Sequence, residues 1–585
     1  MNVVLIQPPV QDFYFTPIRS FPLGLCYLTS SLKEKGHKVT ILDCIQGGRN
    51  SHKIEDDVFN YMRPFYPKDH LSPFGLFKKF SHFGLPFNVI EKKIAELDGE
   101  VFGISSLFAA YADEALRVAR IVKDVHPEAR VIMGGSFAHE YGEYILTNYS
   151  CVDFVIFGEG EETFCELIDS LDRPQIVSGI AYKKGRDIIK TTKRPLIEKL
   201  SSLPWPARDI LDLDLFTIGG RRYTQILTSR GCPMDCTFCT IPRFMGRRFR
   251  FRDVDDVCDE IIYCYDKLNI RIFDIEDDNF TCDPDHAKEL LWELIERLEE
   301  KEIEITAMNG LYYEGLDDEL INLLFRCGMR RINVSLVSSS GRTKEQVKRN
   351  TKLRKFEEVV RNACKLGMHC TMYFIIGLPN EGVEDMIKTL GYVAGLPALI
   401  GPSVYYHVPG SQLFSHLEGQ ARASRDNYRF FRSTAFFYEC DMFTRKDLVS
   451  LFRLTRIINF IKKLLETEES LGNIDLSVLI EKWTWGLDKK IDFIDKECIR
   501  TKAPLSQEEA GVLLLEKFLD EHRIFSLIKQ APSTSSPLGT SLRIKEDGMI
   551  KYKFVEEDAS PRVIDSFFNY FSKTYVSYGD KSIKI

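Results

Sequence analysis

A chain of 585 residues is too long for one hydrophobic core, so two to four domains are expected. Its formal net charge of -7, with 44% hydrophobic and 28% charged residues, is that of a globular protein in water; without a long Lys/Arg block there is no electrostatic case for nucleic acid. Fifteen cysteines, an odd number and mostly scattered singly, predict reduced thiols in a cytoplasmic setting and exclude a disulfide framework. The opening Met1-Asn2-Val3-Val4-Leu5-Ile6 lacks the basic start of a signal peptide, and no apolar run is long enough to span a bilayer.

From the first residues, strand and helix patterns alternate at the pace of a doubly wound α/β domain. Val3 to Gln7 predicts a strand ending at Pro8-Pro9, Leu25 to Lys35 a helix, and Val39 to Asp43 a second strand. After an insertion rich in aromatics and proline (61 to 87, with His70, Lys78-Lys79 and His82), Val101 to Ser105 predicts the third strand. Ala112 to Val125 is a helix, and Val131 to Met133 and Phe154 to Phe157 are strands. Leu23-Gly24, Ser105-Ser106-Leu107, Gly134-Gly135 and Gly158-Glu159-Gly160-Glu161 flank these elements. Parallel sheets bind ligands at the carboxyl ends of their strands, where glycine lets a backbone come close.

A Pro-rich connection, Arg194 to Leu200 and Leu203-Pro204-Trp205-Pro206-Ala207-Arg208, predicts a boundary near residue 200. The expected organisation is a first domain over 1–195, a linker over 196–216, a second domain over 217–430 and an extension over 431–585. The apolar run Gln225 to Thr228 is broken by Gly231 and Pro233 into a loop carrying Cys232, Cys236 and Cys239, spaced C-x3-C-x2-C. Three thiolates can hold three irons of a four-iron cluster and leave the fourth open, whereas a closed zinc site would want a fourth ligand at short spacing. None follows.

Helix and strand patterns then alternate again. Strands are predicted at Ile270 to Ile275, Ile303 to Ala307, Arg331 to Leu336, His369 to Ile376 and Pro402 to His407, and six such repeats would make a partial (β/α)6 barrel with its chemistry at the strands' carboxyl ends. Beyond Phe431 the rhythm stops. Asp447 to Glu466 and Gln507 to Leu527 read as helices, Ala531 to Gly539 as a linker, and Leu542 to Phe554 as a hairpin turning at Asp547-Gly548.

The cysteine loop, with aromatic Phe238 before its third cysteine, resembles the signature of the radical S-adenosylmethionine (SAM) superfamily, and the ordered set of strand ends before it resembles the cobalamin-binding domain of one large subclass. That resemblance implies an N-terminal Rossmann-like cobalamin-binding domain, a radical SAM partial barrel and a mostly helical C-terminal extension. It implies a 4Fe-4S cluster on Cys232, Cys236 and Cys239, with SAM on the open iron. SAM contacts would come from Phe238, from Asp277, Asp278 and Asn279 at the amino group, from Asn309 and Ser335, and from Ile376 and Gly377 beside the adenine. Cobalamin would lie on Leu23, Gly24, Ser105, Leu107, Gly134, Gly135, Gly158, Glu159 and Gly160, and Tyr405 and His407 are substrate candidates.

Two departures stand out. Pro8-Pro9-Val10-Gln11-Asp12 follows the first strand where related domains carry a cobalt-binding histidine, and Ser335-Leu336-Val337-Ser338 lacks the carboxylate that relatives carry after their fourth strand. The resemblance implies reductive cleavage of SAM and methylation of an unactivated carbon of a small or lipid-like intermediate, with electrons from a flavodoxin or ferredoxin. A radical cyclase, oxidase or carbon-carbon coupling enzyme is the alternative within the superfamily, and a non-catalytic cobalamin or redox sensor is the alternative outside it.

Overall fold

The computed structural model describes residues 1–48, 51–54, 57–65, 80–298, 301–349, 352–417 and 425–466, with short stretches between 542 and 584. The described chain forms two compact units. The first holds Met1–Glu55, Lys79–Arg330 and His407–Arg432; the second holds Asp56–Lys78, Arg331–Tyr406 and Ser433–Ile585.

The first unit opens with β1 (Asn2–Gln7), β2 (Val10–Asp12), α1 (Leu23–Glu34), β3 (Lys38–Asp43), β4 (Ser51–Lys53), β5 (Ser81–Phe83), α2 (Phe87–Ala95), β6 (Val101–Ser105), α3 (Ala112–Val125), β7 (Arg130–Gly134), α4 (Ser136–Asn148), β8 (Phe154–Ile156), α5 (Glu161–Asp169), β9 (Ile180–Lys184) and β10 (Asp187–Lys190). Seven of the strands form one sheet in the order β10-β9-β8-β7-β6-β1-β3. The five from β3 to β8 run parallel, and β9 and β10 extend the sheet antiparallel. Val3, Val4, Leu5 and Ile6 of β1 are all buried, as expected of a strand covered on both faces. Leu25 and Leu32 of α1 and Phe164, Leu167 and Ile168 of α5 close one core over it. β1 pairs with β3 on one side and β6 on the other. The strand order therefore reverses there, which opens a crevice beyond their carboxyl ends.

The unit continues through β11 (Thr217–Ile218), β12 (Arg221–Ile226), β13 (Ser229–Arg230), α6 (Ile241–Phe244), β14 (Arg250–Phe251), α7 (Val254–Leu268), β15 (Ile270–Ile275), α8 (Pro284–Leu298), β16 (Glu304–Thr306) and α9 (Asp318–Arg326). β12, β15 and β16 are parallel neighbours. The linker is tied to α1 and α7: Ser30 Oγ donates to the Trp205 carbonyl (2.5 Å) and the Ala207 amide to the Cys26 carbonyl (3.1 Å), while the Trp205 indole donates to Asp256 of α7 (2.6 Å). Tyr27, Leu213, Phe216, Tyr223 and Ile272 share a second core.

In the second unit β17 (Arg331–Val337), α10 (Gly341–Gln346), α11 (Leu353–Lys365), β18 (His369–Ile376), α12 (Val383–Ala394) and β19 (Leu399–Val404) build a parallel β17-β18-β19 sheet. The predicted helix at Asp447 is present as Arg445–Glu466. Its Asn459 side chain donates to the Ile400 carbonyl (2.7 Å) and accepts from the Ile400 amide (2.8 Å), so it satisfies the free edge of β19. Lys462 is fully buried and caps the end of α12 through the carbonyls of Ala394 (2.8 Å) and Leu396 (2.6 Å). These bonds bind the extension to the sheet before it, so the compact units cross the expected boundary near 431. The predicted hairpin is seen as Leu542–Ile544 against Ile550–Tyr552, and a second, Tyr575–Tyr578 against Lys581–Lys584, was not anticipated. The expected helix at 507–527, the linker at 531–539, the turn at 547–548, His70 and Lys78-Lys79 lie outside the described residues.

Candidate active site

The three cysteines follow β13 on one loop. Cys232 and Cys236 are buried and Cys239 is half-buried. Burial raises the Cys232 thiol and pushes Cys239 up to about 11, and the neighbouring cysteines add to both shifts. Neutral thiols gathered out of water ask for a cation to make them thiolates. Among the described residues no three His, Cys, Asp or Glu side chains converge as a single metal ion would require. Thiols that share one loop and serve separate irons fit a cluster. Phe238 lies on the same loop, half-buried.

Backbone geometry holds the loop open. Gly231 has φ +92°, and a Cβ there would sit 2.3 Å from the Arg248 carbonyl oxygen; only glycine fits. Its amide donates to Asp278 (2.8 Å), and Asn279 Nδ2 reaches Cys232 Sγ at 3.6 Å. Asp277 is fully occupied: its carboxylate accepts from the Thr228 amide (2.7 Å), Thr228 Oγ1 (2.5 Å) and Ser229 Oγ (2.6 Å). Asp277, Asp278 and Asn279 thus brace the cysteine loop. The Asp277 carboxylate is turned onto the preceding strand, while Asp278 is half-exposed and gives one oxygen to the Gly231 amide.

Glu276 and Asp278, on either side of Asp277, remain half-open. Burial, with Asp274 beside it, pushes the Glu276 carboxyl up to about 8. It accepts from Gln225 (3.2 Å) and from Asn309 (2.8 Å), and Arg19 donates to Asn309 Oδ1 (3.3 Å). Asn309 is exposed and its side chain belongs to this polar cradle at the ends of β12, β15 and β16. Alternation along β15 places Asp274 and Glu276 on one face, a signal the sequence did contain.

In the second unit Ser335 is half-buried on β17, and Ile376 ends β18 with its carbonyl accepting from the Tyr405 amide (2.9 Å). The Gly377 amide donates to Met386 Sδ (3.1 Å). Tyr405 packs edge-on against Tyr438 (5.6 Å), while His407, in the first unit, lies between Phe414 and Phe431 with ring centroids 5.7 Å away on each side. Burial lowers the His407 imidazole to about 4. Both substrate candidates are buried among aromatics of their own units.

The crevice of the seven-stranded sheet is open where the sequence expected it on one side. A Cβ on Gly24 or on Gly134 would meet nothing within 4 Å, and Leu107 and Phe108 are 55% and 59% exposed. Ser105 ends β6, Leu23 is buried at the start of α1, and the buried hydroxyl of Ser106 has no hydrogen-bond partner. Gly135 has φ +105°, with the Ser106 carbonyl oxygen 2.5 Å from where its Cβ would be. An apolar lip, an unfilled glycine cradle and an orphaned buried hydroxyl fit the tail of a large nucleotide-bearing ligand such as cobalamin. Asp12, after β1, is committed to Tyr111 Oη (2.7 Å) and Arg432 (3.3 Å), and His82 Nδ1 lies 3.2 Å from Gln11 Nε2 while its Nε2 lies 2.8 Å from the Leu85 carbonyl.

Gly158, Glu159 and Gly160 differ. The Gly158 amide donates to His139 Nδ1 (3.0 Å), Leu28 comes within 3.3 Å of a Cβ on Gly160, and Glu159 is buried against two arginines. The Glu159 carboxylate, expected at the cobalamin site, is paired with Arg230 and Arg250.

Residues 226–393 match the model of the radical SAM superfamily and residues 84–168 match that of the B12 binding domain. The chain carries both a radical SAM domain and a B12-binding domain. It is 29% identical over 434 residues to the cytidylyl-2-hydroxyethylphosphonate methyltransferase of Streptomyces wedmorensis, covering 67% of this chain and 76% of that one. The fold matches TsrM, a radical SAM methyltransferase of Kitasatospora setae solved with cobalamin and a [4Fe-4S] cluster, at TM-score 0.58 and 16% identity, over 83% of this chain and 99% of that one. It also matches the cobalamin-dependent radical enzyme OxsB, solved with aqua-cobalamin and SAM, at TM-score 0.57 and 15% identity, over 98% and 84% of the two chains.

Proposed function

We propose that this radical SAM enzyme methylates an unactivated carbon of a small biosynthetic intermediate in a cobalamin-dependent reaction. The observation that carries the reading is the presence, in one compact unit, of a three-cysteine loop that fits a cluster and a strand-end crevice that fits a corrinoid. When bound, the cluster supplies an electron to SAM and the cobalamin supplies a methyl carrier.

The chain's own residues bind and shield. Cys232, Cys236 and Cys239 hold the cluster; Asp277, Asp278 and Asn279 orient their loop. Half-exposed Asp278 offers an acceptor for a ligand ammonium, and Phe238, Asn309, Ser335, Ile376 and Gly377 are further SAM contacts. Leu23, Gly24, Ser105, Leu107, Gly134 and Gly135 seat the corrinoid. No helix among the described residues is long and apolar enough to cross a membrane. A cytoplasmic location and electron supply by a flavodoxin or ferredoxin belong to the same proposal.

Anaerobic reconstitution with iron, sulfide, hydroxocobalamin, SAM and reductant tests it, with SAM products followed by mass spectrometry. S-adenosylhomocysteine and 5′-deoxyadenosine are expected together. 5′-Deoxyadenosine alone, with no retained cobalamin, would move the assignment to a radical cyclase or coupling enzyme. Cys232→Ala is expected to abolish both products and the cluster's absorption.

A further inference from the structure

Glu159 and Glu161 flank Gly160 where β8 gives way to α5. Both are buried, with side-chain exposures of 3% and 9%, and so are Arg230 at 7% and Arg250 at 2%. Glu159 Oε1 accepts from Nη1 of Arg230 (2.8 Å) and Nη1 of Arg250 (2.9 Å); its Oε2 accepts from Arg250 Nη1 (2.9 Å) and the Ile197 amide (2.7 Å). Glu161 Oε1 accepts from Arg230 Nη2 (2.6 Å). Arg250 also donates to the carbonyls of Ile197 (2.6 Å) and Met245 (3.0 Å).

Arg230 and Arg250 face each other across the β13–β14 ladder, and Arg230 stands two residues before Cys232. The network thus links a strand-end loop of the seven-stranded sheet, through forked guanidinium bonds, to the backbone that carries the first cysteine. Two carboxylates and two guanidiniums out of water are a poor way to gain stability, because desolvation cancels most of their attraction. Their use is directional: a forked pair fixes distance and orientation together, which an apolar contact does not.

We propose that Glu159, Glu161, Arg230 and Arg250 are positioning residues that set the cysteine loop in register with the strand ends of the B12-binding domain. The inference builds on the proposed function. It adds that the alignment of the two cofactor sites is held by this network, and that weakening the network uncouples radical formation from methyl transfer.

The test uses the reconstituted full chain with Glu159→Gln, which keeps shape and removes charge. Iron content is expected to stay at the wild-type level while the EPR spectrum of the reduced cluster with SAM changes. The ratio of S-adenosylhomocysteine to 5′-deoxyadenosine is expected to fall, by up to about 100-fold if the shift approaches 1 Å. An unchanged EPR spectrum and an unchanged ratio overturn the proposal, as does a loss of iron in step with melting temperature while the surviving holoenzyme keeps the wild-type ratio. Should Glu159→Gln fail to fold, Arg230→Lys, which keeps the charge and loses the fork, is read by the same two measurements. A wild type that forms no S-adenosylhomocysteine would defeat the proposed function, whereas the EPR comparison judges the network by itself.

Discussion

Two glycine-rich strand ends of the same sheet have the same look in sequence and opposite fates in the fold. At Gly134-Gly135 the space a Cβ of Gly134 would take is empty and the neighbouring Ser106 hydroxyl is unpartnered. At Gly158-Glu159-Gly160 a Cβ on Gly158 would also meet nothing within 4 Å, but the amide and the carboxylate are committed to His139, Arg230 and Arg250, and Leu28 closes on Gly160. The first leaves a cradle unfilled and the second braces the chain. Glycine marks where a backbone can come close, but not whether the approaching group is a ligand or another part of the protein.

Substitutions can pull the two apart. On the braced side Arg250→Ala leaves Glu159 buried with two of its four hydrogen bonds gone, and a loss of about 3–5 kcal/mol is expected, read by denaturant unfolding of the apo chain. A buried carboxyl without an arginine is the control. Glu381 is fully buried and accepts from Ser338 Oγ (3.2 Å) and the Leu378 amide (3.4 Å), and burial pushes it up to about 8. Its folded form holds the proton more tightly than its unfolded form, so its contribution to stability is complete below about pH 4.5 and declines as the pH rises through about 8. Glu381→Gln is expected to flatten that slope, measured as melting temperature against pH, with a smaller change at neutral pH than Arg250→Ala gives.

On the open side Gly135→Ala combines positive φ with a clash against the Ser106 carbonyl, and should cost about 1–3 kcal/mol. Gly134→Ala has room, so its unfolding free energy should stay within about 0.5 kcal/mol of wild type. Its retention of cobalamin on gel filtration should nevertheless drop, because the added methyl enters the cradle. Retention at the wild-type level would place the cofactor elsewhere.

Much of the architecture was legible in the chain itself. The alternation of apolar strands with amphipathic helices from Val3 to Ile168 is a local property, and so is the helix at Arg445–Glu466. The C-x3-C-x2-C spacing is equally local: one loop, one break at Gly231 and Pro233, three thiols. What sequence could not supply were the partners of charged groups. Asp277 looked like an acceptor for a ligand and is instead occupied by Thr228 and Ser229; Glu276, one residue earlier, and Asp278, one later, are the half-open carboxylates. Glu159 meets Arg230 and Arg250 from 71 and 91 positions away.

His407 and Tyr405 end up in aromatic cores, and Asn459 pairs with the edge of β19 from 59 residues downstream. Periodicity and spacing are set by neighbours along the chain, so the sequence by itself determined the elements, the cysteine loop and the glycine positions at the strand ends. Burial and charge pairing are set by neighbours in space, so only the tertiary structure decided which carboxylates stay available, which strand end is open, and which is spent on holding the cysteine loop in place.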